Sequence, residues 1–407
     1  MERLIPFILL ISLSATPVLA DSVLDKLQIH GFASQAFILT SDNSFYGDSE
    51  DGSTDYTELG LNFSYRVSPR IRIASQVLSR HAGEMDNGSP RIDYALADIS
   101  LYSSDNSRFG SYIGRVKNQV GLYNSTRDVA HTRQGIFTAQ TIYFDKVRDL
   151  SLSADAIYLY AEHYFPTGNL LYQAGIGYPV TDDNVEYVYL GRNWDGKLEN
   201  NQLAYFANIM YEHDGGRWIF AASHAALELD FNAAGNDSLI GINSGQLTID
   251  YSVFSIQFNA EKWQVTSELA LQNIHYKDIG GALFNDSKKK PIGFSLQADY
   301  KFTPKWQSFI RYEDFSLDRN DRNGKGAVED AQALNTQLGV NLPIIPNHTN
   351  YSRSWVIGGR WDINKNVMAR MEYHTFDGTS VLSPRENNMA TTKKDWDLFA
   401  VSLSYKF

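Results

Sequence analysis

Between positions 108 and 133 the sequence reads RFGSYIGRVKNQVGLYNSTRDVAHTR. Five cations, Arg108, Arg115, Lys117, Arg127 and Arg133, stand there against one acid, Asp128, with His131 among them. The run carries +4 in a chain whose formal charge is −11. A concentration of this kind acts by its field, which favours anions wherever a low-dielectric wall focuses it on a passage. Covalent chemistry finds little footing elsewhere. His131, His163, His213, His224, His275 and His374 are scattered along the chain, and no Gly-x-Ser-x-Gly elbow occurs. Cysteine is absent, so neither a thiolate metal site nor a disulfide can form. These features point away from an enzyme and ask for no cofactor or resident metal. The acidic balance also argues against nucleic acid as a partner.

The remaining charges fall into a pattern. Arg66, Arg72, Arg80, Lys301, Arg311, Arg360 and Arg370 occupy the polar half of segments that alternate by twos, as do Glu58, Asp250, Glu268, Asp299, Glu313 and Glu372. Arg311 and Glu313 sit two apart, as do Arg370 and Glu372, so each pair shares a strand face and is placed to neutralise itself. In TELGLNFSYRV, Leu59, Leu61, Phe63, Tyr65 and Val67 face away from Glu58, Asn62 and Arg66. The alternation predicts sixteen strands, near 27–39, 56–67, 70–81, 91–102, 109–117, 149–161, 169–178, 202–212, 216–228, 246–258, 262–275, 291–302, 305–316, 353–362, 366–376 and 396–407. An eighteen-strand count stays open, because the 118–148 and 317–352 connections are long enough to hold another pair.

Short and long connections trade places along the chain. SPR, FPTGN, HDGG, NAEK, TPK and NKN are turns; 40–55, 118–148, 179–201, 229–245, 276–290, 317–352 and 377–395 are long. That rhythm, with 13% aromatic residues and negative mean hydropathy, predicts an all-β, antiparallel, up-and-down transmembrane barrel. A sheet can cross hydrocarbon only when closed, so the last strand is expected to pair with the first. MERLIPFILLISLSATPVLA has the charge, apolar core and small-residue end of a secretory signal peptide, giving residues 1–20 as leader and 21–407 as one barrel domain. Trp263, Trp306, Trp355 and Trp361 fall near strand ends, where amphipathic rings suit a membrane interface.

The chain closes on Tyr405-Lys406-Phe407. Here it resembles the Gram-negative outer-membrane porins, whose final strand ends in aromatic-x-Phe. The resemblance implies residence in the outer membrane among lipid and lipopolysaccharide, assembly as a homotrimer, and a third outer loop folded inward to narrow the channel. On that basis Arg115, Lys117, Arg127, His131 and Arg133 would form the constriction, with Arg66, Arg72, Arg80, Arg311, Glu313, Arg360, Arg370 and Glu372 on the lumen wall. Gly114-x-x-Lys117 is also similar to a strand end of phosphate-selective porins, but Gln119-Val120 stands before Gly121 where that family has Pro-Phe. The expected function is passive diffusion of small hydrophilic solutes, with a preference for anions if the cations face the lumen. A barrel plugged by its third loop, structural or adhesive, is the alternative; an outer-membrane hydrolase lacks its constellation.

Overall fold

Sixteen long strands form one antiparallel sheet that closes on itself in the computed structural model, which describes residues 26–280, 287–341 and 343–407. The expected leader, 1–20, lies outside the described residues. In chain order the strands are β1 Leu27–Thr40, β2 Ser53–Ser68, β3 Ile71–Ala82, β4 Arg91–Ser103, β5 Ser107–Lys117, β6 Ser153–Phe165, β7 Gly168–Pro179 and β8 Ala204–His213. They continue as β9 Trp218–Asn232, β10 Gly245–Asn259, β11 Trp263–Lys277, β12 Ile292–Thr303, β13 Trp306–Ser316, β14 Tyr351–Asp362, β15 Val367–Gly378 and β16 Asp395–Lys406. Two three-residue segments, Lys197–Glu199 and Ser287–Lys289, pair with the ends of β9 and β11 and lengthen the wall without adding a crossing. Among the described residues the long connections therefore hide no extra pair. The 317–350 connection instead contains a helix, α3, at Lys325–Leu338. Two further helices in chain order are α1 Arg148–Leu152 and α2 Asp183–Leu190.

Closure follows the expected seam. β1 and β16 pair from Phe32↔Lys406 to Thr40↔Leu398. Phe407 extends the ladder by exchanging backbone hydrogen bonds with Gly31 at 3.0 and 3.3 Å. Its ring lies over Gly31, where a Cβ would come within 2.4 Å of the ring, so only glycine lets the two meet. All backbone groups along the seam thus find partners within the sheet, the condition for a wall facing hydrocarbon.

Side-chain parity sorts the two faces. Leu59, Leu61, Ile157, Tyr205, Ile357, Leu403 and Tyr405 point outward and are exposed. Glu58, Arg80, Arg311, Glu313, Arg370 and Glu372 point inward and are buried. Trp306 and Trp361 stack on the outer face with ring centroids 4.9 Å apart, beside the turn end of β13 and β14. Among the described residues no helix is long and apolar enough to cross a membrane.

Two expectations need correction. The sixth strand begins at Ser153, not near 149, because Arg148–Leu152 forms the short helix α1; Leu150 and Leu152 alternate with Asp149 and Ser151 and imitate a strand. Asp250 is exposed on the outer face, since Ile249 and Tyr251 are the buried neighbours that point inward. The second correction reflects a larger feature. Toward the loop end, the inner face of β9–β11 is apolar: Leu227, Leu229, Phe231, Leu247, Ile249 and Val253 are buried. They pack inside the barrel against Ile142, Val147 and Leu150 from the β5–β6 loop and Val185 and Leu190 of α2. Each fully buried aliphatic side chain stabilises this packing by about 1.5–3 kcal/mol. The wet face of the alternation is therefore wet only over part of its height.

Candidate functional site

The β5–β6 loop, L3 (residues 118–152), turns into the barrel and crosses its interior. It is largely irregular, so its backbone groups need partners other than a ladder. The wall supplies them. Glu268 of β11 accepts from the Leu122 N–H at 3.0 Å, Glu313 of β13 from the Thr141 N–H at 3.2 Å, and Glu372 of β15 from the Ile136 N–H at 2.5 Å. Arginines do the converse. Arg311 donates to the Phe137 carbonyl at 3.3 Å, Arg360 to the carbonyls of His131 and Arg133 at 3.2 and 3.0 Å, and Arg370 to those of Ala130 and Gly135 at 3.1 and 2.5 Å. At Gly293 of β12 a Cβ would lie 2.0 Å from the Thr141 carbonyl oxygen, which measures how closely the loop hugs the wall. Much of the wall charge read from the sequence thus holds L3 rather than lining open water.

The expected pairings divide. Arg311 and Glu313 do pair, at 2.7 Å. Arg370 and Glu372 do not: Glu372 takes the Nε2 of His374 at 2.8 Å, and Arg370 spends its donors on L3 carbonyls and Ser404. Arg66 and Arg72 lie near the turn end of the inner face, where Arg72 meets Asp98 at 2.9 Å.

At the root of L3 the cation run becomes an enclosed charge network. Lys117 reaches Asp93 at 2.6 Å and also Asp128. Arg148 meets Asp128 and, at 3.0 Å, Asp145. Arg80 meets Asp145 at 2.7 Å, and Arg133 meets Glu58 at 2.6 Å. Tyr46 of the β1–β2 loop donates its hydroxyl to Asp145. Burial alone would raise the Asp128 carboxyl, but Lys117 and Arg148 outweigh it and hold it well below the usual range. Asp145 is likewise held low, against burial, by Arg80 and Arg148. Arg127 is fully buried and donates to the Arg148 carbonyl at 3.2 Å and to Ser151 at 3.3 Å. Burial and the neighbouring Arg148 pull it down to about 10. His131 is pushed down to about 4 by burial and by Lys406, Arg360 and Arg370, so it is neutral at pH 7.

Arg115 belongs elsewhere. It forms a two-pronged pair with Asp155, both bonds 2.8 Å, on the outer face in register with Ile113 and Ile157. Its odd position on β5 shares the outward parity of Ile113, so it does not join the constriction. Of the predicted cluster, Lys117, Arg127 and Arg133 are brought together, and His131 sits farther along L3 beside Arg360. Sequence reasoning missed Asp93, Asp145 and Arg148. Asp145 and Arg148 stand three apart with opposite charge, a signal that was available. Asp93 was hidden by a register shift opposite Gln76 and Val77, which turns it inward against the parity of its strand.

A cavity of about 190 Å³ remains between L3 and β10–β13. Tyr123, Gln257, Gln264, Thr266, Gln297 and Arg311 are among its lining residues, mostly hydroxyl and amide groups. On the other side of L3, Ile136 and Phe137 join Phe45, Tyr56, Leu382 and Trp396 in a second apolar cluster within the barrel.

No protein-family model matches the sequence, and a search of curated proteins finds no match. Solved structures do match in shape. The chain is similar to the outer membrane channel DcaP of Acinetobacter baumannii, with TM-score 0.54 and 13% identity over 94% of this chain and 97% of that one. It is similar to an anion-selective porin from Comamonas acidovorans, with TM-score 0.56 and 10% identity over 94% and 99%. It is also similar to Salmonella typhi OmpF, with TM-score 0.56 and 13% identity over 94% and 97%. At such identities the likeness is one of fold, and function has to be argued from the site.

Proposed function

We propose that this chain is a porin-type channel of a Gram-negative outer membrane, passing small hydrophilic solutes passively and without chemistry. The observation that carries the reading is L3, a loop drawn inside a closed sixteen-strand barrel and held there by wall carboxylates and guanidinium groups. An apolar outer face, a partly polar inner face and a loop that narrows the interior are the parts a selective pore needs. The fold shared with DcaP, OmpF and the Comamonas porin supports it. Export by the 1–20 leader and assembly as a homotrimer in lipid and lipopolysaccharide belong to the same proposal.

Selectivity follows from charge pairing. Arg80, Lys117, Arg133 and Arg148 are matched by Glu58, Asp93, Asp128 and Asp145, and Arg115 faces outward with Asp155. With Arg108 paired to Asp98 as well, the field of the +4 run is spent locally except at Arg127, which is buried against neutral groups, and weak charge discrimination is the expectation rather than a strong anion preference. Reversal potentials across a salt gradient in planar bilayers test both points: modest selectivity supports the reading, and a steep anion selectivity overturns the charge argument. A plugged, non-conducting barrel is the second reading, favoured by the two apolar clusters flanking L3. Silence of the purified protein at all voltages would decide for it.

A further inference from the structure

L8, residues 379–394 between β15 and β16, does not stay at its own edge of the barrel. L4, residues 180–203 between β7 and β8, stands eight strands away in a ring of sixteen, which is the opposite side. The two nevertheless meet. Arg385 of L8 donates to the Asp183 carbonyl of L4 at 3.0 Å, and its guanidinium lies 4.9 Å from the Tyr187 ring centroid. The next residue holds the near side. Glu386 accepts from the backbone N–H groups of Gly47 at 2.8 Å, Glu84 at 3.1 Å and Tyr46 at 3.2 Å, which belong to the β1–β2 and β3–β4 loops. Asn387 then exchanges two bonds with the Ser44 backbone, at 2.9 and 2.8 Å. Three consecutive residues thus tie L8 to three other loops; L4 in turn reaches the β3–β4 loop, where Asn184 donates to the Met85 carbonyl at 2.5 Å, so the L8 strap and L4 meet over the loop-end mouth.

The strap is also joined to L3. Lys146 of L3 donates to the Ser380 carbonyl at 2.5 Å. Leu382 is fully buried in the apolar cluster that contains Ile136 and Phe137 of L3. Lifting L8 would expose that cluster and remove a contact that holds L3 down. We infer that L8 is a lid across the mouth, latched at Glu386 and mechanically coupled to L3, and that this conformation is the closed one. The inference rests on the channel reading proposed above. A carboxylate that gathers three backbone N–H groups from two loops makes charge-assisted bonds, stronger than neutral ones, so a latch at one residue can hold the strap.

The chain has no cysteine, which makes the test clean. The full-length protein carrying Ser44→Cys and Asn387→Cys can form one disulfide, joining the lid to the β1–β2 loop. Single-channel recordings are made oxidised and then after reductant, with each single-cysteine variant as control and heat-modifiable gel mobility as the check of folding. The oxidised form should be closed for most of the record, and reduction should restore the wild-type openings. Glu386→Ala should raise open probability by at least about tenfold, the change that accompanies loss of even one hydrogen bond to a charged group. A variant lacking residues 384–389 should behave like Glu386→Ala. Oxidised, reduced and Glu386→Ala channels with one common open probability would overturn the lid while leaving the channel standing. Silence in every form, the deletion included, would remove the channel reading and the lid with it.

Discussion

Replacing Asp128 by Asn removes one negative charge from an enclosed network and leaves its shape almost unchanged. Asp128 is fully buried and is the shared partner of Lys117 and Arg148. After the change Lys117 keeps Asp93 and Arg148 keeps Asp145, but the cluster, which already encloses Arg127, carries one further uncompensated positive charge out of reach of water. Breaking a buried pair by removing one partner costs about 3–5 kcal/mol, mostly because the other charge stays desolvated. At 1.4 kcal/mol per decade, that weakens docking of the L3 root by about two to three and a half decades. Asp155→Asn provides the internal comparison. Its pair with Arg115 is on the outer face two residues from the loop end of β5 and β6, away from mid-depth, with side chains 55% and 31% exposed, and should be worth only about 0.2–1 kcal/mol. In planar bilayers Asp128→Asn should give a noisy channel of raised conductance, and Asp155→Asn a trace like the wild type. Adding Lys117→Met to Asp128→Asn should restore part of the loss, since it removes the surplus charge. Equal recordings and equal thermal stability for the two Asn variants would refute the claim that this network holds L3.

The outer row and the titrating groups of L3 carry two further expectations. Leu61→Arg places a cation on the exposed outer row in the middle of β2 and should cost about 2–4 kcal/mol near the bilayer midplane, read as loss of the heat-modifiable folded band; unimpaired assembly would show that this row does not face lipid. Acid should loosen L3 in two stages. His131 sits at about 4 in the folded chain against an ordinary 6.5, so its contribution starts to be lost as pH falls below about 6.5 and is gone below 4. Asp128 and Asp145 are held low, so theirs is intact above about 4 and lost as pH falls through their depressed values. Conductance measured from pH 7 to pH 3 should drift and then rise steeply, with the drift missing in His131→Asn; the same shallow slope in that variant would discard the assignment.

Much of the barrel was legible before any coordinate was known, and the residues show why. Leu59, Leu61, Tyr205 and Leu403 stand at period two with polar neighbours, and period two has one geometric meaning, a strand with two unlike faces. Sixteen such rows, with turns and long loops in alternation, leave a closed sheet as the solution in which every backbone group is paired. The parity of Arg311, Glu313, Arg370 and Glu372 was readable for the same reason. What those charges hold was not. Whether Arg370 meets Glu372 or the carbonyls of Ala130 and Gly135 depends on where a thirty-five-residue irregular loop comes to rest, and no local period encodes that. Arg115 and Lys117 stand two apart on β5 with the same parity, yet one lies outside with Asp155 and the other reaches inside to Asp93 and Asp128, because Lys117 is the last residue of the strand, where the chain turns into L3. Strand character is written in nearest neighbours. Loop docking, the apolar filling of the loop end and the meeting of L8 with L4 arise from contacts between residues far apart in the chain, and only the closed barrel brings those residues within reach.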